Sequence, residues 1–440
     1  MSDTRSSDPN VLSTGDPSRP YDLAVVGAGI AGLSAALTAA SAGRRVLVLD
    51  AHSAGGRART TDRGGYLHNL GPHALYRTGA LAALLGRHHI PVTGGVPLAI
   101  GALAVRGGTA YPLPARPFEL LRTKLLGRTD RLRLLALLAR VQRTDPARWV
   151  GRPVSELAGG TSDRVCEFLE MFVRVSTYTD APETLDAGAA ITQMQMALGT
   201  GVQYLDGGWA SMIAAMVHAV EAGGGAVHTG MTVRSVAVPG GDEPLTLTTD
   251  AGIVFADAVV IAAGGPDVAQ RLTGAAVRGA DRITPPVTAT VLDLALRTEQ
   301  PALAFALDAP LYLSAHAPAA RLAPQGRGLV SVMRYHAPSA DIGDSTENRA
   351  ELREFAGQAG ITAGDVVHEH YLHRLVVTHG APTAEGGGLP GRPAVEALDL
   401  PGVYLAGDWV GSEGLLADAA AASGVVAAHR SVRRRASISA

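Results

Sequence analysis

Residues 25–32 read VVGAGIAG, and residues 46–50 read VLVLD, with Asp50 23 positions after Gly27. A short apolar run (LAVV), this glycine turn, a small-residue stretch ending at Gly43 and a second apolar run define a βαβ unit. Each glycine has a reason. Gly27 permits the tight turn, Gly29 lets the backbone approach a pyrophosphate, and Gly32 lets helix and strand come close. The helix N-terminus favours the anion, and Asp50 is placed to accept from a ribose hydroxyl. A chain with this unit is expected to build a doubly wound α/β domain around a dinucleotide.

The rest of the composition narrows the class. With 440 residues the chain exceeds one ordinary core, so two domains are expected. A formal charge of −2 argues against nucleic acid as a partner. The single cysteine, Cys166, excludes an intrachain disulfide and a cysteine-cluster metal site. Lys124 is the only lysine among 38 basic residues, a bias that fits a GC-rich bacterial genome and leaves one candidate for any lysine-dependent chemistry. Residues 1–19 are polar and rich in Ser and Pro, without the apolar core of a secretory signal, and read as a disordered leader. Residues 431–440 read as a flexible tail. No apolar run reaches the ~18 residues of a membrane span, so a cytoplasmic location is expected.

Further motifs follow. GGRART stands at 55–60, GGYLHNLGPHALY at 64–76, a Gly-Gly helix start and strand within 204–238, AVVIAAGG at 258–265, and PGVYLAGDWVGSEGLLADAAAASG at 401–424. Together these segments resemble the flavoprotein superfamily of phytoene desaturases, flavin amine oxidases and protoporphyrinogen oxidases. The resemblance covers roughly 20–76, 203–264 and 401–428. It implies a Rossmann-type, glutathione-reductase-like FAD-binding domain made of 20–85, 203–275 and 398–430. An α+β substrate domain would comprise 86–202 and 276–397.

The resemblance also implies the contacts. FAD would be held by Gly27, Gly29, Ile30, Ala31 and Gly32 at the first turn, and by Asp50 and Ala51 after the second strand. Gly55, Gly56 and Arg57 would lie by the pyrophosphate, and Val233 and Ala263 by the adenosine half. Gly71, Pro72 and His73 would run beside the ring system. Asp408, after Gly407, would bond the ribityl chain or phosphate, and Leu415 and Leu416 would open a helix aimed at the flavin N1/O2 edge. A helix N-terminus there stabilises the charge of reduced flavin. Non-covalent binding is expected, because Cys166 is far in sequence from these motifs.

The substrate half is less informative. Residues 119–142 mix leucines with cations, interrupted by Gly127. They read either as a stripe lying on the inner face of the membrane or as a surface helix with a leucine face turned to the core. Arg174, Tyr178, Gln193 and Gln195 are candidate polar groups of a pocket. Prolines and glycines across 301–345 suggest short, irregular strands. His368, His370 and His373 cluster on one strand, but no cysteine or paired carboxylate joins them in sequence, and no metal is expected. His73 could take or relay a proton, since imidazole titrates near neutral pH; the alternative is a positioning histidine bonded to backbone.

Only one dinucleotide fingerprint is present, so the expected electron acceptor is oxygen or a quinone rather than a nicotinamide held in a second domain. Many flavin amine oxidases use a lysine near flavin N5 and two aromatic rings around the amine. Here Lys124 sits in a cationic stretch, Leu416 aligns with one ring position, and no aromatic occurs between Tyr371 and Tyr404. The expected reaction is therefore phytoene-desaturase-like: hydride removal from a lipophilic small molecule. An amine-oxidase or protoporphyrinogen-oxidase-like enzyme is the first alternative. A redox-neutral flavin-dependent isomerase or a silent flavoprotein is the second.

Overall fold

The βαβ unit forms as its pattern dictates in the computed structural model, which describes residues 16–438 apart from 98–100, 115, 116, 242 and 301. The strands Leu23–Val26 and Val46–Asp50 pair in parallel, Ala24 opposite Leu47. Three more strands extend the sheet, giving the order Ala226–Thr229, Val46–Asp50, Leu23–Val26, Val259–Ile261, Val403–Leu405, parallel throughout. Its strands thus come from three separated stretches of chain.

Between the first two strands runs the helix Ile30–Ser41, built almost entirely of small residues. It packs against both the helix Trp209–Ala222 and the helix Leu416–Ile438. Small side chains are required there. A Cβ on Gly32 would lie 1.8 Å from the Gly27 carbonyl oxygen, and one on Gly424 would lie 2.2 Å from that of Ala31. A three-stranded antiparallel sheet, Val233–Ala237, Leu245–Thr249 and Gly252–Ala256, lies beside this layer.

A seven-stranded sheet forms the second centre. Its order is Val366–Thr378, Val287–Leu296, Gly328–Tyr335, Leu311–Ala317, Leu303–Ala306, Leu103–Arg106, Thr109–Pro112. The strand Val287–Leu296 is buried along its whole length and alternates. Leu292, Leu294 and Leu296 pack with Leu352 and Phe355 of the helix Ser345–Gln358. Ala289 and Val291 join Phe305, Tyr312, Met333 and Tyr335 on the opposite face. Pro310, Pro318, Pro324, Gly326, Pro338 and Gly343 fall between strands, so this region joins one sheet: Leu303–Ala306 is short and the Leu311–Ala317 pairing carries a register shift, as expected, whereas Gly328–Tyr335 is a full eight-residue strand.

The cationic stretch at 119–142 divides as Gly127 suggested. Pro117–Leu120 and Arg128–Arg143 are separate helices, with Gly127 capping the second. Leu134, Leu137 and Val141 enter a helical core with Phe168, Leu169, Ile191 and Met194, while Phe118, Leu121 and Leu132 are exposed. Among the described residues no helix is long and apolar enough to cross a membrane. The expected leader lies outside the described residues up to 15, and 431–438, expected as tail, continue the last helix to Ile438.

The close approach at Gly32 and the open space at Gly29, where an added Cβ meets nothing within 4 Å, generate unequal expectations. Gly32→Ala should lower stability by about 1–3 kcal/mol or more through overpacking, and Gly29→Ala by about 0.5–1 kcal/mol, the cost of alanine at a helix N-cap without any clash. Thermal denaturation midpoints of the two variants check this.

Candidate functional site

Of the predicted contact residues, Gly27, Asp50, Ala263 and Gly407 stand at or just after the carboxyl ends of the parallel strands, where α/β sheets bind ligands. Gly27 has φ +107°, and a Cβ there would lie 2.7 Å from the Ala262 carbonyl oxygen, which places the turn against Ala262 and Ala263. The helix Ile30–Ser41 has no capping side chain and no acid in its first turn, so its first amides are left for an anion. Gly55 N–H donates to the Ala28 carbonyl at 2.8 Å, which brings the 55–57 segment onto the same turn. Asp50 accepts from Ala28 N–H at 2.7 Å and from His52 N–H at 2.8 Å, its carboxylate still partly exposed. Met231 N–H donates to the Asp50 carbonyl at 2.8 Å, which sets the approach to Val233, while Ala51 is exposed just beyond. An uncapped helix end, an open Gly29 and an accessible Asp50 fit the pyrophosphate and ribose of a dinucleotide.

The expected positions of Arg57 and Asp408 change in one respect. They face each other: Arg57 Nη1 donates to Asp408 Oδ2 at 2.7 Å and to the Val377 carbonyl at 2.7 Å. Asp408 is 3% exposed and also accepts from His379 N–H at 3.2 Å. Burial opposes its charge, but Arg57 and then His379 hold its carboxyl well below the usual carboxylate range. A carboxylate so buried needs a cation, and Arg57 supplies it.

Arg392, which the sequence did not single out, is buried at 5% exposure. Its guanidinium donates to the carbonyls of Asp408, Gly411, Glu413 and Gly414 at 2.7–3.2 Å, and burial pushes its pKa down to about 10. It pins the loop that leads into the last helix. Ser423 Oγ accepts from Gly407 N–H at 3.0 Å, gripping the same turn from the helix side. Leu415 is buried, and Leu416 opens that helix with φ +55°. In its first turn, Asp418 accepts from Leu81 N–H at 2.9 Å.

The GPH segment lies between the two sheets. A Cβ on Gly71 would come within 2.9 Å of Leu375 and 3.3 Å of Val291, on the face of the seven-stranded sheet that carries the aromatics. His73 Nδ1 donates to the Gly71 carbonyl at 2.9 Å, and the ring meets Trp209 edge-on at 4.8 Å. Burial lowers the His73 pKa against that carbonyl. Trp209 is itself positioned by the hairpin Thr60–Arg63 and Tyr66–Asn69: its backbone N–H donates to Asn69 Oδ1 at 3.0 Å, and Ala210 backbone N–H to Thr60 Oγ1 at 3.0 Å. Gly208, the residue before the helix, has no side chain to do this.

Beyond Gly71 the sheet face is aromatic. Tyr178 meets Tyr335 edge-on at 5.9 Å, Phe305 and Tyr312 stack at 5.4 Å, and Tyr204 stacks on His316 at 4.0 Å. Burial raises the pKa of Tyr178, Tyr204, Tyr312 and Tyr335 and pushes that of His316 down to about 4, so the group is uncharged at neutral pH. Among the described residues, Tyr335 Oη, Ser176 Oγ and both amide atoms of Gln193 are buried without a hydrogen-bond partner. Arg174 lies 3.4–3.5 Å from the carbonyls of Ala306, Leu307 and Ala309 and 3.5 Å from Asp180. Gln195 is structural: its amide donates at 2.8 Å to the carbonyls of Val141 and Thr144.

The family profile described as flavin containing amine oxidoreductase matches residues 30–430. The chain belongs to that family. Its cofactor is accordingly FAD, and its class that of the FAD-dependent oxidoreductases. Two solved structures share the fold. An oxidoreductase from Methanosarcina mazei aligns with a TM-score of 0.73 at 20% identity, over 93% of this chain and 99% of that one. A putative protoporphyrinogen oxidase from Exiguobacterium sp. 255-15 aligns with a TM-score of 0.72 at 18% identity, over 93% and 98%. An L-amino-acid oxidase of Bothrops pauloensis is 51% identical over 61 residues, and that match covers 12% of the relative's length.

Two expectations follow for the flavoprotein. Asp50→Ala should weaken FAD retention by roughly 10- to 150-fold, the loss of a charge-assisted hydrogen bond of about 1.5–3 kcal/mol; FAD occupancy after dialysis measures it. Burial raises the Asp418 pKa to about 6 from 3.8. Folding therefore favours the protonated acid, and stability falls as pH rises from about 4 to about 6, by roughly 3 kcal/mol in all. Asp418→Asn should remove that slope, read as denaturation midpoints across this range.

Proposed function

We propose that this flavoprotein dehydrogenates a neutral, largely apolar small molecule, in the manner of phytoene desaturases. The observation that carries the reading is the sheet face next to Gly71 and His73. It offers Val291, Leu375, Met333 and Phe305 together with uncharged phenols, of which the Tyr335 hydroxyl is buried without a hydrogen-bond partner. Such a surface selects by shape and burial, at about 25 cal/mol per Å² of apolar area, with a few neutral hydrogen bonds for orientation. The neighbouring cation, Arg174, is engaged by backbone carbonyls and Asp180. Lys124 is exposed in the link between the helices Pro117–Leu120 and Arg128–Arg143.

FAD, when bound, supplies the two-electron acceptor for the C–H bond that is broken. The chain's part is to hold the substrate on the aromatic face and to keep water out. His73, uncharged and tied to the Gly71 carbonyl, fits a positioning role for the segment beside the cofactor. Oxygen or a quinone is proposed as the final acceptor. Oxidation of an amine or amino acid is the second reading, favoured by the 61-residue match to an L-amino-acid oxidase.

Anaerobic stopped-flow absorbance of the oxidised flavin band separates the two. Bleaching is expected with lipophilic polyene, terpenoid or cyclic precursors. No bleaching is expected with a panel of aliphatic amines, aromatic amines and L-amino acids. Rapid bleaching by any of these at about millimolar concentration or below would reverse the order.

A further inference from the structure

We propose that His68, Asp293 and His370 form a binding site for one divalent first-row transition-metal ion of the zinc class. The three residues come from separate strands: His68 from Tyr66–Asn69, Asp293 from Val287–Leu296 and His370 from Val366–Thr378. His68 and Asp293 are 1% and 2% exposed. One atom of each residue, His68 Nδ1, Asp293 Oδ2 and His370 Nδ1, is buried with no hydrogen-bond partner, and one potential ligand atom from each residue lies within 4.8 Å of the other two.

The spacing suits a metal better than a shared proton. Asp293 Oδ2 is 3.6 Å from His68 Nδ1 and 3.5 Å from His370 Nδ1. That is too long for an N–H···O bond, whose usual range is about 2.7–3.2 Å. Ligands bound at about 2.0–2.2 Å on tetrahedral corners stand about 3.4 Å apart, which both separations approach. Two imidazoles and a carboxylate suit zinc, cobalt or ferrous ion.

The surrounding bonds prepare the ligands. His68 Nε2 lies 3.1 Å from His368 Nε2; with the proton on His68 Nε2, His368 accepts it and Nδ1 is free for a metal. Ser331 Oγ donates to Asp293 Oδ1 at 2.6 Å, which leaves Oδ2 as the free oxygen. An ion here would fasten the Thr60–Asn69 hairpin to the seven-stranded sheet. The same hairpin, through Thr60 and Asn69, holds the start of the Trp209 helix beside His73. The proposal is independent of which substrate the enzyme oxidises.

The test uses the flavin-loaded full chain, dialysed and titrated with Zn²⁺. One Zn²⁺ per chain and a raised thermal midpoint are expected. Asp293→Asn and His370→Gln should each weaken binding by about 100-fold or more, and Ser331→Ala by about 10-fold. His218→Ala, at an exposed histidine, should change nothing. Absence of saturable binding by the wild-type chain, or binding unaffected by both ligand substitutions, would overturn the proposal. Should the variants fail to fold, anomalous diffraction at the zinc edge from Zn²⁺-soaked wild-type crystals decides. A peak between the three ligand atoms supports the site, and its absence there overturns it.

Discussion

The Asp408 carboxylate, 3% exposed, is the constraint on which the rest of the site depends. A charge in that position is tolerated only with a partner, and removing the partner of a buried pair costs about 3–5 kcal/mol. Its partner, Arg57, comes from the other end of the chain and also binds the Val377 carbonyl. Asp408 in turn accepts from His379, just beyond the strand Val366–Thr378. One ion pair therefore joins the turn after the second parallel strand, the loop after the last one and the edge of the seven-stranded sheet. Arg392 completes the junction by gathering four carbonyls of the loop that follows Asp408.

From that junction the other features acquire their roles. The dinucleotide turn is held by glycines at van der Waals limits, with Gly32 against Gly27 and Gly424 against Ala31. The segment Gly71–His73 rests on Val291 and Leu375, and Trp209 packs against its histidine. The seven-stranded sheet presents aromatics to that segment because its strands alternate: the leucines of Val287–Leu296 are committed to the helix Ser345–Gln358, so the other face carries Phe305, Tyr312 and Tyr335. A burial pattern set by packing thus determines what chemistry the site can admit.

Much of the dinucleotide region was legible before any coordinates. Glycine spacing, the acid at position 50 and the Gly-Asp after a late strand are local patterns whose geometry is enforced by backbone sterics. The helix Trp209–Ala222 and the break at Gly127 were legible for the same reason. What escaped was distance along the chain. Arg392 carries no motif, and its value lies in carbonyls of a loop 16–22 residues onward. Gln195 looked like a pocket residue because its polarity stood out among apolar neighbours, yet it closes the end of another helix. Across 301–345, prolines and glycines suggested irregular strands, and only the sheet reveals that Pro310, Pro318, Pro324, Gly326, Pro338 and Gly343 fall between strands.

By itself the sequence determined that this chain wraps a dinucleotide, because turn glycines, helix starts and strand-end acids act on neighbours a few residues away. It also determined that any lysine-dependent chemistry has one candidate, Lys124. Tertiary structure alone decided that Arg57 and Asp408 neutralise each other, that the aromatic rings share one face, and that His68 and His370 meet at Asp293. Those arrangements rest on side-chain contacts between segments as far as 351 residues apart. No periodicity encodes them, since they follow from strand order and register, which the buried faces select only when the whole sheet is assembled.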